Sequence, residues 1–135
     1  MRPTEGLNLT NDILFANIPL YIGLFSGNTF APSLADTAAS IVGDAEEIMD
    51  YAELTRPLFN ISGNVSANGV ISNSANPATF TFTNNVTVYG AFLSTNPTKG
   101  ATTGIIMDVA LFNTYKAYLT DDVLNHTYQL TTANP

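Results

Sequence analysis

Cysteine is absent from the 135 residues, which removes disulfides, thiolate metal sites and cysteine nucleophiles together. Basic residues are nearly absent as well: Arg2, Arg56, Lys99 and Lys116 stand against eleven acidic side chains, for a net charge of −7. Neutralising nucleic-acid phosphates takes clustered Lys and Arg, so four scattered cations argue against a direct nucleic-acid interface. Charge of either sign is scarce at 11% of residues, whereas 45% are hydrophobic and Asn, Thr and Ser fill much of the rest. A free monomer normally carries more surface charge than this, so surfaces that meet other protein are expected. Long apolar runs are also missing. The longest, such as residues 18–25, have strand length and fall well short of the roughly 20 residues of a membrane-spanning helix. The opening MRPTEGLNLTNDILF has an acidic residue and no small-residue cleavage pattern behind an apolar core. No secretory signal is expected, and the chain is expected to stay in the cytosol or in something assembled there. The Asn-x-Ser/Thr triplets at Asn8, Asn60, Asn64, Asn85 and Asn125 carry little weight in so Asn- and Thr-rich a chain.

What is present reads as one domain, long enough to enclose a single core. Residues 1–17 form an N-terminal arm, polar except for an apolar tip at Ile13, Leu14 and Phe15, a composition suited to lying against a partner. Residues 18–135 form the domain proper. IPLYIGLFSGN is apolar on both alternating faces, which predicts a strand covered on both sides. SLADTAASIVGDAEEIM places Ala38, Ile41, Val42 and Ala45 near helical spacing behind Asp36, predicting a short helix from Thr37 with Asp36 as its N-cap and Gly43 near its end. Strands are predicted over 47–54 and 57–62 with Pro57 at a kink, then over 79–83, 86–94, 104–112, 115–119 and 123–131. Asn68-Gly69 and Asn76-Pro77 supply turn chemistry. Short strands and frequent turns indicate an antiparallel sandwich or barrel.

TFTFTNNVTVYGAFLST (79–95) poses a register problem. A two-residue turn at Asn84-Asn85 would set Phe82 against Thr87 and Phe80 against Tyr89, splitting the apolar set between faces. Keeping Phe80 and Phe82 on the side of Val86, Val88 and Phe92 requires either an odd loop with a bulge or strands that belong to different sheets.

Chemistry is hard to find. His126, the only histidine, alternates onto the side of Leu124, Tyr128 and Leu130 with no recognisable nucleophile or orienting carboxylate motif, so it reads as a satisfied or interface histidine. Asp121 and Asp122 read as a turn before the last strand, without the ligand pattern of a calcium loop. Glu46, Glu47, Asp50 and Glu53 read as a solvated acidic face. A glycosidase carboxylate pair could hide among such residues, but sequence does not show their separation. KGATTG (99–104) has the wrong spacing for a phosphate loop and reads as a flexible hairpin tip. No catalytic residue, metal ligand or cofactor-binding residue is expected.

The succession LYIGLFSGN, ADTAAS, DYAELTRP, ISNSANPATFTF, VYGAFLST, KGATTGIIMDVALF and DDVLNHTYQL resembles a family of small virion proteins of tailed bacteriophages. The likeness runs from about Leu20 to Thr131 and departs at the N-terminal arm. It implies a mostly β capsid decoration or cement protein, or a head-neck or tail accessory component, with no enzymatic residues to transfer. The expectation is then an all-β, antiparallel β-sandwich, jelly-roll-like, with one short helix and an extended arm. Its partners would be the major capsid protein and its own copies, a homotrimer being favoured, with Ile13, Leu14 and Phe15 as the capsid-anchoring element. Exposed Tyr115 and Tyr118 would serve the alternative of a glycan-binding, receptor-recognising tip.

Overall fold

The apolar run at the start of the domain is covered on both faces because a separate hydrophobic cluster packs against each face of the sheet that contains it. In the computed structural model, which describes residues 19–61 and 70–131, β1 (Tyr21–Phe25) sits between β2 (Glu47–Ile48) and β5 (Val86–Ser94). β6 (Ile106–Tyr118) extends the sheet beyond β5, and all neighbours are antiparallel. Two further antiparallel pairs complete the β structure: β3 (Val70–Ser72) with β8 (Gln129–Thr131), and β4 (Ala78–Thr81) with β7 (Val123–His126). The helix α1 is short, Ala38–Gly43. The arm, with Ile13, Leu14 and Phe15, and the Asn68-Gly69 turn lie outside the described residues.

Two clusters make the core. On one side Ile22, Leu24, Ala91, Leu93 and Met107 pack with Phe80, Phe82, Tyr128 and Leu130. On the other, Phe25, Phe92, Ile106 and Val109 pack with Ala38, Ile41 and Ala45 from the α1 region. Each large apolar side chain taken wholly from water contributes about 1.5–3 kcal/mol. Because both faces of the four-stranded sheet need cover, its central strands lose the alternation of a half-exposed strand.

The register problem in 79–95 resolves by the second route. β4 and β5 are consecutive in sequence yet do not pair with each other: Phe80 lies opposite Leu124 of β7, while Phe92 lies between Gly23 and Val109. Phe80 and Phe82 thereby reach the same core as Val86 and Val88 without a shared hairpin register, whereas Phe92, expected on that side, belongs to the opposite cluster.

Several boundaries differ from expectation. Thr37, not Asp36, is the N-cap, because Ser40 completes a reciprocal capping box with it; the Asp36 carboxylate instead accepts from the Ser33 amide at 2.8 Å and the Ser40 hydroxyl at 3.2 Å. The strand expected over 47–54 contracts to Glu47–Ile48, and 57–61 contains only a bridge from Leu58 to Tyr21. There the backbone is satisfied singly, by Ile22 N–H donating to Pro57 O and Phe59 N–H to Leu20 O, both at 2.8 Å. The strands expected at 104–112 and 115–119 are one, β6. Its pairing jumps from Gly90↔Leu111 to Val88↔Lys116, leaving Phe112 to Tyr115 opposite Tyr89 alone, a wide bulge in a long strand.

Glycine permits the close approach of sheet and rings. A Cβ on Gly90 would collide with the Phe25 ring and with the Ala110 carbonyl oxygen, and the backbone of β6 cannot yield as a side-chain tip can. Gly90→Ala is therefore expected to destabilise the fold by about 1–3 kcal/mol or more, read as a lowered urea midpoint; an unchanged midpoint would contradict this packing.

Candidate interaction surface

Glu47 departs most from the sequence reading. Instead of belonging to a solvated acidic face, its side chain is fully buried against Arg56, itself 1% exposed. Glu46 takes a left-handed backbone, φ 59°, while Ser26 and Gly27 hold this turn through their N–H groups to Glu46 O and Ala45 O. The next residue, Glu47, then points inward. Its carboxylate receives Arg56 Nε at 2.8 Å and Nη2 at 2.6 Å, and also the Gly100 amide at 3.0 Å. Arg56 Nη1 donates to Asn96 O at 2.9 Å, and the guanidinium lies 5.1 Å from the centre of the Phe92 ring. A bidentate pair that also engages the Asn96 carbonyl and the Gly100 amide can offset much of the desolvation of two charges.

The same contacts tie down the loop between β5 and β6. Lys99 Nζ donates to Tyr51 O at 2.7 Å and sits 3.9 Å from the centre of the Tyr51 ring. Gly100 and Gly104 have left-handed backbones, φ 73° and 98°, which glycine adopts readily. KGATTG is thus a braced turn and not a free tip. Beneath Lys99, the buried Tyr51 hydroxyl has no hydrogen-bond partner, and burial together with the Glu47 charge pushes it well above the ordinary phenol range.

The remaining titratable groups take structural positions. Asp122 Oδ2 accepts from the Leu119 amide at 2.8 Å and Asp121 has φ 73°, the turn expected there. Glu53 is half-buried and binds Thr81 through N–H at 2.8 Å and hydroxyl at 3.0 Å, so it too leaves the proposed solvated face. Of the residues expected beside it, His126 meets Tyr128, because the stretch expected as one strand breaks into β7 and β8. It lies between the Phe112 ring, centroids 5.5 Å apart, and the Tyr128 ring at 6.0 Å; the Tyr128 hydroxyl donates to Asp108 at 2.8 Å. Asp36, Asp44 and Glu46 border an open polar hollow. Among the described residues no group of three or more His, Asp or Glu side chains is placed to hold a metal.

Several exposed apolar side chains lie on β6 and on the turn that follows it. Gly90 cannot cover its partner Leu111, and past the bulge β6 is exposed from Asn113 to Ala117. The bulge is held by one aromatic from each end: Phe112 against His126, and Tyr115, 59% exposed, against Tyr89 with centroids 5.1 Å apart. Leu119 and Val123 are exposed at the adjoining turn, and Leu54, at 94%, is bare. Asn113, Thr114 and Lys116 supply the polar atoms along the strand, with no carboxylate among residues 109–120. Tyr118 is only half-exposed, its ring 4.9 Å from that of Phe82. Sequence reasoning pointed to Tyr115 but missed the bulge that presents it; the break between two expected strands at 113–114 was its only trace.

A scan against models of known protein families finds no match, and a search among curated proteins finds none either.

Glu47→Gln is expected to lower unfolding free energy by about 3–5 kcal/mol, because Arg56 would keep its burial and lose its counter-charge. Tyr51→Phe, which removes a hydroxyl without a partner, is expected to be neutral or stabilising; urea unfolding of the pair distinguishes them. Burial lowers the His126 pKa from its ordinary 6.5, so the unfolded chain takes up this proton first as pH falls. Stability should therefore decline as pH drops through about 6.5, and more steeply than in His126→Gln; parallel pH profiles would contradict it.

Proposed function

We propose that this chain is a bacteriophage capsid decoration protein, which binds the outer surface of the assembled major capsid protein lattice and stabilises it. The observation that carries the reading is the apolar and aromatic ridge at Leu111, Tyr115, Leu119 and Val123 on a chain with only 11% charged residues. Exposed large apolar side chains favour contact with other protein, and the resemblance of residues 20–131 to small tailed-phage virion proteins supplies the setting. Cementing requires affinity for the assembled lattice over its free subunits, so that each bound copy raises the lattice's stability by mass action. The protein would act as a homo-oligomer, a trimer by preference, on the capsid exterior after synthesis in the host cytoplasm. Ile13, Leu14 and Phe15 of the arm would contribute to anchoring. The jelly-roll-like sandwich belongs to this proposal too: an experimental structure of the whole chain with two facing sheets in jelly-roll connectivity would support it.

A second reading, a tail or neck accessory component that recognises a glycan receptor, is favoured by the exposed Tyr115 resting on Tyr89 beside Asn113 and Thr114. Aromatic rings with neighbouring amides and hydroxyls suit sugar faces.

Copy number separates the two. Quantitative protein analysis of purified virions, with imaging of the same particles, should find hundreds of copies over the shell. A count of about six to twelve confined to tail or neck, by the symmetry of those parts, would overturn decoration and favour the second reading.

A further inference from the structure

β6 is the outer strand of the four-stranded sheet: β5 pairs with one of its edges, and no described strand pairs with the other. The register shows which main-chain groups line that other edge. Ile22 donates its N–H to Pro57 O, away from β5, so Leu93, opposite Ile22, directs its N–H and C=O to Asp108 of β6. Asp108 and Ala110 therefore address β5, while Val109 and Leu111 address the outer edge. Val109 packs in the cluster that includes the α1 residues. On a strand of one direction, chirality locks the side-chain face to the side that the main chain addresses. Residues of β6 on the α1 face are thus the ones whose N–H and C=O turn outward. Past the bulge these are Tyr115 and Ala117. Tyr115 stacks on Tyr89, which packs with the α1 cluster, whereas Tyr118 lies on the opposite face against Phe82, with Lys116 over its ring. Tyr115 and Ala117 are both exposed.

We propose that this open edge pairs, antiparallel and about a two-fold axis at Ala117, with the same edge of a second copy of the chain. An unpaired strand edge is a template for another strand, and a two-fold contact supplies each outward donor with its acceptor by symmetry. The two Ala117 residues exchange N–H and C=O bonds. Each Tyr115 amide donates to the second copy's Leu119 O, which accepts only the Asp122 amide within its own chain and has a lone pair left. On the α1 face this register sets Tyr115, 59% exposed, beside the second copy's Leu119, 63% exposed. On the other face it sets Lys116 opposite the second copy's Tyr118, a cation against a ring. Charge selects both the strip and the register. Residues 109–120 carry no carboxylate and one lysine, so two chains of net charge −7 meet here without opposed like charges. An axis at Lys116 would set lysine against lysine, and an axis at Tyr115 would run the pairing into the bulge. The inference does not rest on the virion reading, and its two-fold contact is separate from the threefold association proposed above.

The test uses the isolated full chain. Sedimentation equilibrium at chain concentrations up to about 1 mM should show association in pairs. Ala117→Lys and Ala117→Glu each set like charges opposite one another at an exposed position, and each alone should weaken that association several-fold. An equimolar mixture of the two variants should recover it, which also shows that both have folded. Ala35→Lys, an exposed position before α1, makes the same change of charge away from the edge and should leave it intact. A wild-type chain without pairwise association over the whole range overturns the proposal. So does a dimer indifferent to both Ala117 substitutions, or a mixture that associates no better than either variant alone. Virions take no part, so the outcome is independent of the decoration reading.

Discussion

The buried pair of Arg56 and Glu47 is the constraint on which the rest of the structure depends. It ties β2, through Glu47, and the 49–58 segment that follows it, through Arg56, to the distant loop between β5 and β6 through Asn96 O and Gly100 N–H. Arg56 N–H adds a bond to Pro97 O at 2.8 Å. Neither charge tolerates burial without the other, so the segments must converge for either to be satisfied. A chain with few charged residues has placed one ion pair where it determines geometry. Its worth lies in which arrangement it permits, since an apolar replacement of equal volume can match such a pair in stability.

From that anchor the sheet acquires an asymmetry. The end of β5 and β6 near Ser94 and Ile106 is braced by the loop, by Thr95 N–H donating to Ile105 O at 3.1 Å and by the Ile105 amide donating to Thr95 Oγ1 at 2.9 Å. The other end runs past the α1 cover, bulges at Phe112 to Tyr115 and exposes its side chains. Loop hydrogen bonds thus concentrate at one end of the β5–β6 pair and exposed side chains at the other.

How much of this was legible in sequence depended on whether the signal was local. β1 was readable because apolar residues on both parities demand cover on both faces, and β5 for the same reason. The helix was readable from Ala38 and Ile41, but its cap was assigned one residue early because Asp36 and Thr37 are both competent caps and only Ser40 distinguishes them. The different-sheet solution for 79–95 was one of two allowed routes, since strand partners 40 residues apart leave no local mark. Glu47 was misread for a different reason: in sequence it belongs to a run of acids, and the left-handed turn at Glu46 that points it inward toward Arg56, nine residues on, leaves no mark in residue type. His126 does meet Tyr128, but across the kink between β7 and β8 and not along one alternating strand. Ile13, Leu14 and Phe15, expected from sequence as an anchoring tip, lie outside the described residues.

The central structural claim is that the Arg56–Glu47 pair makes the β5–β6 loop part of the core despite its glycine- and threonine-rich sequence. Native-state hydrogen exchange at the Gly100 and Arg56 amides tests it most directly. These amides should exchange only through global unfolding, with protection matching that of core β1 and β5 amides and falling with denaturant at the same slope. Exchange at the rate of an open loop, independent of denaturant, would show that the loop moves apart from the core and would contradict the account.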